Sequence, residues 1–363
     1  MSVIGARFIR FLAIPYAMAT RIDWPNCPRN VIVVLFDHLY IFFRLGYYPD
    51  NYGQCRLWEK KRSEWKYYWG SGYDPYVVSL LHRKVQRRDC DVLFEDKEVC
   101  YELCRSYGLP LPRQYVTLNP GNGAASAIRG IFGDGHPHQL LLKPIGGSGG
   151  KGISLAERKD GEMIVRRIQD PARCIPLDEF VLESRCVVQE KVVQHPDLDA
   201  VSSNSLNTIR IATLMSPQNE VILIGAYLRF GSGQAFVDNI CVGGYSVGID
   251  LETGRSGSTV ENLRGQTYPL SSVTQKAVTS LVIPYWGELV DLARKVQTHF
   301  APFNRLLGMD IGLSPSGPIL IEINSGYDNT GIESNCGPIL KNEAIRRAFL
   351  EYGIISHRLF QVP

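Results

Sequence analysis

The chain has 363 residues, 39 basic and 36 acidic side chains, a formal net charge of +3 and 45% hydrophobic residues. That length buries a core without staples, the composition excludes whole-chain disorder and fibrous classes, and the near-neutral balance does not mark a nucleic-acid partner. Nine cysteines, at 27, 55, 90, 100, 104, 174, 186, 241 and 336, are odd in number and widely spaced, which fits reduced packing residues in a cytoplasmic protein rather than a secreted disulfide framework.

Residues 1 to about 90 read as a mainly helical lead. Met1 to Ala19, with Arg7 and Arg10, weakly imitates a signal peptide. Val31 to Phe43 is strongly apolar but holds Asp37 and His38, and it is too short to span a bilayer. A buried helix is expected there, with peripheral membrane contact by residues 1–45 as the alternative. Eleven aromatic residues from Tyr40 to Trp69 predict a seam filled against the rest of the chain.

A helix is predicted from Asp96, its cap, to Tyr107, stopped by Gly108-Leu109-Pro110. Strand Gln114 to Leu118, a turn at 119–123 and a helix from Ala124 to Phe132 follow. Short strands then run over Gln139 to Lys143, Gly152 to Glu157 and Met163 to Arg166. Leu177 to Glu183 is expected to be helical, and Cys186 to Val193 a strand. Thr208 to Met215 and Val221 to Phe230 form a hairpin, followed by a glycine-rich loop over 231–248. A long helix is predicted from Pro284 to Leu307. A last hairpin pairs Met309 to Leu313 with Pro318 to Ile323, and residues 341–359 close the chain as a helix. Elements in this order make an α+β protein.

The strongest local feature is Leu142-Lys143-Pro144-Ile145-Gly146-Gly147-Ser148-Gly149-Gly150-Lys151-Gly152, set between two strands. Bare backbone amides there suit phosphate oxygens, with lysine as a point charge; a glycine hairpin with no ligand is the plainer alternative. The order is neither a Walker A loop nor a dinucleotide fingerprint. Lys97, just after the Asp96 cap, is either a solvated lysine or one that reaches phosphates from the first helical turn. Asp310, Glu322 and Asn324 form the second feature. The latter two share a strand face, and three oxygen donors suit magnesium; a solvent-facing polar edge is the alternative. Arg210 sits mid-strand in an apolar run and Arg229 lies on the paired strand. Each is a solvent-side arginine or a grip on an oxyanion.

Taken in order, these features resemble the ATP-grasp superfamily, and within it the sugar-transfer-associated ATP-grasp proteins. The closer likeness is carried by Gln189-Glu190, His195-Pro196, Asn207-Thr208-Ile209-Arg210, Asp238-Asn239 with Gly243-Gly244, and Glu322-Ile323-Asn324. The resemblance implies an ATP-grasp fold: subdomains at 91–193 and 194–363 clamp ATP behind the helical region 1–90. It places Lys97 and Lys143 on the phosphates, with Gly147, Ser148, Gly149, Gly150 and Lys151 as a lid. Glu190 would accept from the adenine amino group, the backbone of Lys191 and Val192 beside Gln189 would read the adenine edge, and Asp197 would be the ribose acid. Asp310, Glu322 and Asn324 would hold Mg2+. Arg210, Arg229 and Lys143 would serve the transferred phosphoryl group or the acid. Many ATP-grasp enzymes carry a Rossmann-like domain in front; these first ninety residues do not read as one, so their substrate rules do not transfer.

The reaction implied is an ADP-forming ligase joining a small-molecule or peptide carboxylate to an amine through an acyl phosphate. A kinase with Asp238 as base and a non-catalytic nucleotide-binding protein are the alternatives. The family name associates the chain with polysaccharide biosynthesis, and a homodimer is the default oligomer.

Overall fold

The structure, a computed structural model, describes residues 3–70, 75–121, 123–133, 139–147, 149, 152–159, 161–168, 170–231, 238, 243–262 and 265–360. It is α+β, with two antiparallel sheets behind a helical N-terminal region. The first sheet contains β1 (Gln114–Leu118), β2 (Gln139–Pro144), β3 (Ser154–Lys159), β4 (Glu162–Arg167), β5 (Asp170–Pro176) and β6 (Cys186–Glu190), in the order β1-β6-β2-β3-β4-β5. The second contains β7 (Thr208–Met215), β8 (Val221–Phe230), β9 (Tyr245–Ile249), β10 (Thr259–Glu261), β11 (Thr267–Pro269), β12 (Leu306–Ser314) and β13 (Gly317–Asn324), in the order β11-β10-β9-β8-β7-β12-β13.

Strand alternation decides what each sheet face does. Leu140 and Leu142 of β2, with Cys186 and Val188 of β6, pack under the helix Ala124–Gly133. The alternate residues, Leu141 and Lys143 with Val187 and Gln189, are paired across the strands and face the other way. In β7, Ile209 and Ile211 pack on the helix Trp286–Phe300, whose Leu289, Leu292, Ala293, Val296 and Phe300 form its apolar stripe. Burial of each large side chain in that stripe contributes on the order of 1.5–3 kcal/mol. On the opposite face of β7, Ala212 and Leu214 lie in an apolar cluster with Trp69 and Phe349 of the helix Glu343–Glu351. Thr208 and Arg210 continue that face beyond the cluster, so the sequence itself changes one sheet face from packed to polar.

The helix Lys97–Ser106 begins where expected. The Asp96 carboxylate accepts from the backbone N–H of Glu98 at 2.9 Å and of Val99 at 3.1 Å. Elsewhere the expectations need correction. Leu177–Glu179 is only a single 3-10 turn, and β5 precedes it. The long helix stops at Phe300, short of Leu307. There the buried Asn304 bonds through Oδ1 to the N–H of Leu306 at 2.8 Å and starts β12. The glycine-rich loop ends early, because Tyr245, Val247 and Ile249 continue the sheet beside β8. The closing helix is confined to Glu343–Glu351, followed by a 3-10 turn at His357–Leu359.

The N-terminal region packs helices Ile14–Arg21 and Val31–Tyr40 around Tyr47, Tyr48, Tyr52, Trp58 and Trp65. Asp37 is fully buried among them, bonded by Arg29, Arg62 and, at 2.7 Å, the Tyr52 hydroxyl. The helix at 31–40 is there as expected, but not buried as expected. Its polar residues face inward while Val31, Ile32, Val33, Leu35 and Phe36 face outward.

Candidate active site

The second sheet supplies a row of polar side chains. Tyr227 of β8, Arg210 of β7, Asp310 of β12 and Glu322 of β13 are successive cross-strand partners, so they share one face. Arg210 pairs with Asp310 through two bonds, Nε to Oδ1 and, at 3.1 Å, Nη2 to Oδ2. Arg229 reaches the same Oδ2 at 3.1 Å and Asp238 at 3.5 Å. It also donates to the Thr208 hydroxyl at 2.9 Å and 3.2 Å. Asp238 is fixed in turn by the N–H of Thr208 at 3.0 Å and by its hydroxyl. Burial alone would raise the pKa of Asp310, but the two guanidiniums overcome it and hold the carboxyl below its ordinary range. Burial prevails at Asp238, whose pKa is raised despite Arg229.

The first sheet and the helix Lys97–Ser106 supply the opposing cations. Lys97 Nζ donates to the carbonyl of Gly147 at 2.8 Å and lies 3.6 Å from Glu322 Oε1, linking the glycine loop to β13. Lys143 has no hydrogen bond or ion pair among the described residues. Burial lowers its pKa to about 8; Glu322 opposes that shift and Lys97 adds to it. Gly147 and Gly149 have φ of +136° and +71°, a region that a side chain rarely adopts. Ser148, Gly150 and Lys151 of the expected lid, and Asn239, lie outside the described residues.

The expected adenine end lies three residues further along β6. Glu190 is opposite Leu140, and Lys143 is opposite Val187, a separation of about 10 Å along the strand. Lys191 Nζ donates to Gln139 Oε1 at 3.0 Å, and burial lowers its pKa. Gln189 is buried and donates to Gln114 Oε1 at 3.1 Å; Val192 is also buried. The Glu190 carboxylate accepts from the N–H of Arg113 at 2.9 Å. Asp197 is exposed in the first turn of a short helix, 3.8 Å from His195 Nδ1. The structure thus brings Lys97, Lys143, Arg210, Arg229, Asp310 and Glu322 together, while the ion pair of Asp197 is with His195 and with none of them.

For a divalent cation, Glu322 and Asn324 offer two adjacent donors on one strand face. Asn324 Nδ2 is buried with no partner; turning the amide over puts its oxygen there instead, which suits a ligand to a cation. Asp310 is already held by two arginines. Among the described residues no group of three or more His, Cys, Asp or Glu is arranged to hold a metal, so phosphate oxygens and water must complete the shell.

Sequence reasoning missed a cavity of about 530 Å³ that opens from Lys97, Gly147, Glu322 and Asn324 towards Trp69, His82, Asp91 and Glu95. It also missed Glu333. This buried carboxylate accepts from the N–H groups of Trp69 at 2.7 Å and Gly70 at 3.2 Å, so it ties the N-terminal region to the helix Asn329–Cys336. Nothing local in the sequence signals a bond across more than 260 residues.

A family model described as sugar-transfer-associated ATP-grasp matches residues 78–345. Among solved structures, the chain is similar to the ATP-grasp ligase PsnB complexed with minimal precursor, Mg and ADP, at 16% identity and a TM-score of 0.39, covering 73% of this chain and 62% of that one. It is also similar to a RimK domain ATP-grasp protein from Sphaerobacter thermophilus, at 13% identity and a TM-score of 0.37, covering 71% and 70%. The biotin carboxylase complex with βγ-ATP from Campylobacter jejuni aligns at 12% identity and 0.39, covering 69% and 45%. The chain therefore spans less than two thirds of PsnB and under half of the carboxylase. A comparison with curated proteins gave no match.

Proposed function

The chain belongs to the sugar-transfer-associated ATP-grasp family, and from that premise we propose that it is an ATP- and magnesium-dependent ligase that joins a carboxylate to an amine, releasing ADP and phosphate. The observation that carries this reading is Lys143. A half-buried ammonium with no partner among the described residues, held beside Lys97 and opposite Glu322, is costly unless an anion arrives. A polyphosphate laid from the strand end at Gln189–Val192 towards Lys143 supplies that anion.

In this proposal the backbone of Lys191 and Val192 reads the adenine edge, while Lys97, Lys143 and the amides of the glycine loop hold the phosphates. Glu322 and Asn324, with phosphate oxygens, hold magnesium, which when bound neutralises charge on the transferred group. An oxygen of the acid attacks the γ-phosphorus, the bond from phosphorus to the ADP oxygen breaks, and an acyl phosphate forms. The amine nitrogen then bonds to the acyl carbon, phosphate leaves, and one proton is lost from nitrogen. Arg210 and Arg229 steady the oxyanions of acid and phosphate. The cavity beside Trp69, lined also by Asp91 and Glu95, is the proposed seat of the neutral amine. A kinase would need Asp238 as a free base, but its Oδ2 is already engaged by Thr208 and Arg229.

Calorimetric titration with ATP, with and without magnesium, tests the site: saturable binding that weakens in Glu322→Ala is expected. Hydroxylamine trapping then tests the chemistry. Hydroxamate and ADP formed only in the presence of an acid support the ligase. Phosphate retained on a hydroxyl acceptor would replace it with a kinase, and a folded protein that binds no nucleotide would overturn both.

A further inference from the structure

The N-terminal helices are inverted relative to a water-facing design. Residues 31–40 hold two polar side chains, Asp37 and His38, and both are buried; burial lowers the His38 pKa to about 4. The outward residues are Ile32, 66% exposed, and Phe36, 63% exposed, with Val31, Val33 and Leu35. Phe43, 65% exposed, extends the surface, and its ring lies 5.5 Å from that of Phe11. Phe8, Ile9 and Leu12 on the neighbouring helix Val3–Leu12 are exposed too. Large apolar side chains grouped in this way on a protein surface mark a contact site.

We propose that this surface docks on an anionic lipid bilayer, lying on it without crossing it. No helix among the described residues is long and apolar enough to cross a membrane. The charge pattern chooses the occupant. Residues 1–45 carry five arginines and two carboxylates, and the Asp37 carboxylate is buried between Arg29 and Arg62. Arg44, next in sequence to Phe43, is exposed. Arg7 lies over the Phe42 ring at 5.1 Å and donates to the Phe42 carbonyl at 3.0 Å, which fixes a cation beside the exposed Phe43. Exposed aromatic and aliphatic side chains edged by arginine suit the headgroup and acyl boundary of an anionic leaflet. A second copy of the chain would set this cationic edge against itself in a two-fold contact, where like charges repel.

The test is flotation of the 363-residue chain with equimolar vesicles of phosphatidylcholine and phosphatidylglycerol, and with vesicles of phosphatidylcholine alone. The protein is expected to float with the anionic vesicles, less at high salt, and the combined Ile32→Asp, Phe36→Asp and Phe43→Asp variant to partition about tenfold less or weaker. Arg44→Glu leaves the apolar surface intact and is expected to reduce anionic binding selectively. Sedimentation velocity without lipid is run alongside. Failure of the natural chain to float overturns the proposal, as does unchanged flotation of the triple variant. A dimer dissolved by the same three substitutions makes the surface a self-contact instead. None of these readouts requires nucleotide, so failure of the ligase proposal leaves them unaffected.

Discussion

Lys143 gives a prediction in which stability and function move in opposite directions. Burial and the neighbouring Lys97 pull its pKa from 10.5 to about 8 against the attraction of Glu322 and Asp238. Taken entirely as free energy, holding that charge at neutral pH costs about 3 kcal/mol. The side chain keeps some solvent contact, which reduces the figure to about 1–2 kcal/mol. Lys143→Met, similar in length and uncharged, is therefore expected to raise the melting temperature of the nucleotide-free protein by about 1–3 °C at neutral pH. The same change should weaken ATP binding about 100-fold. Between pH 8 and 10.5 the unfolded chain holds more protons at this position than the folded chain, so the contribution of the lysine to stability rises with pH through that window. The advantage of the variant should accordingly shrink by more than half at about pH 9.5. Scanning fluorimetry at the two pH values, with calorimetry for ATP, makes the measurement. A variant less stable than the natural chain at neutral pH, or one that retains ATP affinity, would refute the reasoning.

Asp310→Asn leaves Arg210 and Arg229 without their shared counter-charge and should cost about 3–5 kcal/mol in urea unfolding. Because the folded pKa of Asp310 is depressed, its stabilisation is present above the ordinary carboxylate pKa and lost on acidification, so the variant should show a weaker acid dependence. Glu333 behaves in the opposite sense. Burial pushes its pKa up to about 8, so the folded chain holds the extra proton from about 4.5 upward and stability falls as pH rises towards 8. Glu333→Gln should flatten that slope in melting curves taken across the range. At Gly248 an added Cβ would come 2.2 Å from the Asn335 carbonyl oxygen, so Gly248→Ala should lose more than about 2 kcal/mol, seen as a lowered urea midpoint.

What the sequence disclosed was local. Asp96 as a cap and the hairpin of β7 and β8 could be read because the signal and the structure occupy the same few residues. The opposition of Asp310 and Glu322 in β12 and β13 follows from a short turn. The bidentate pairing of Arg210 and Asp310 did not follow, since β7 and β12 are neighbours in space but a hundred residues apart. Glu333 and Trp69 were hidden for the same reason. The N-terminal helix failed differently. When nearly every residue is apolar, periodicity cannot say which face is outside, and the two polar residues that normally mark the wet side are the two that the aromatic core encloses.

The cleft charges explain why its arginines differ in role from its lysines. Four cations, Lys97, Lys143, Arg210 and Arg229, meet three carboxylates, Asp238, Asp310 and Glu322. The arginines are already spent: Arg210 grips both oxygens of Asp310, and Arg229 bridges Asp310, Asp238 and Thr208. Planar guanidiniums can hold such a lattice and still present outward N–H groups to an oxyanion, whereas a lysine in either place would satisfy one contact at a time. The lysines are less committed, Lys97 to a carbonyl and a 3.6 Å ion pair and Lys143 to nothing among the described residues. On the proposed reading the arginine lattice therefore stays in place during turnover, while the lysines change partners when nucleotide binds. Arg210→Lys should then lower stability as well as rate, whereas Lys97→Met should impair ATP binding with little effect on the fold.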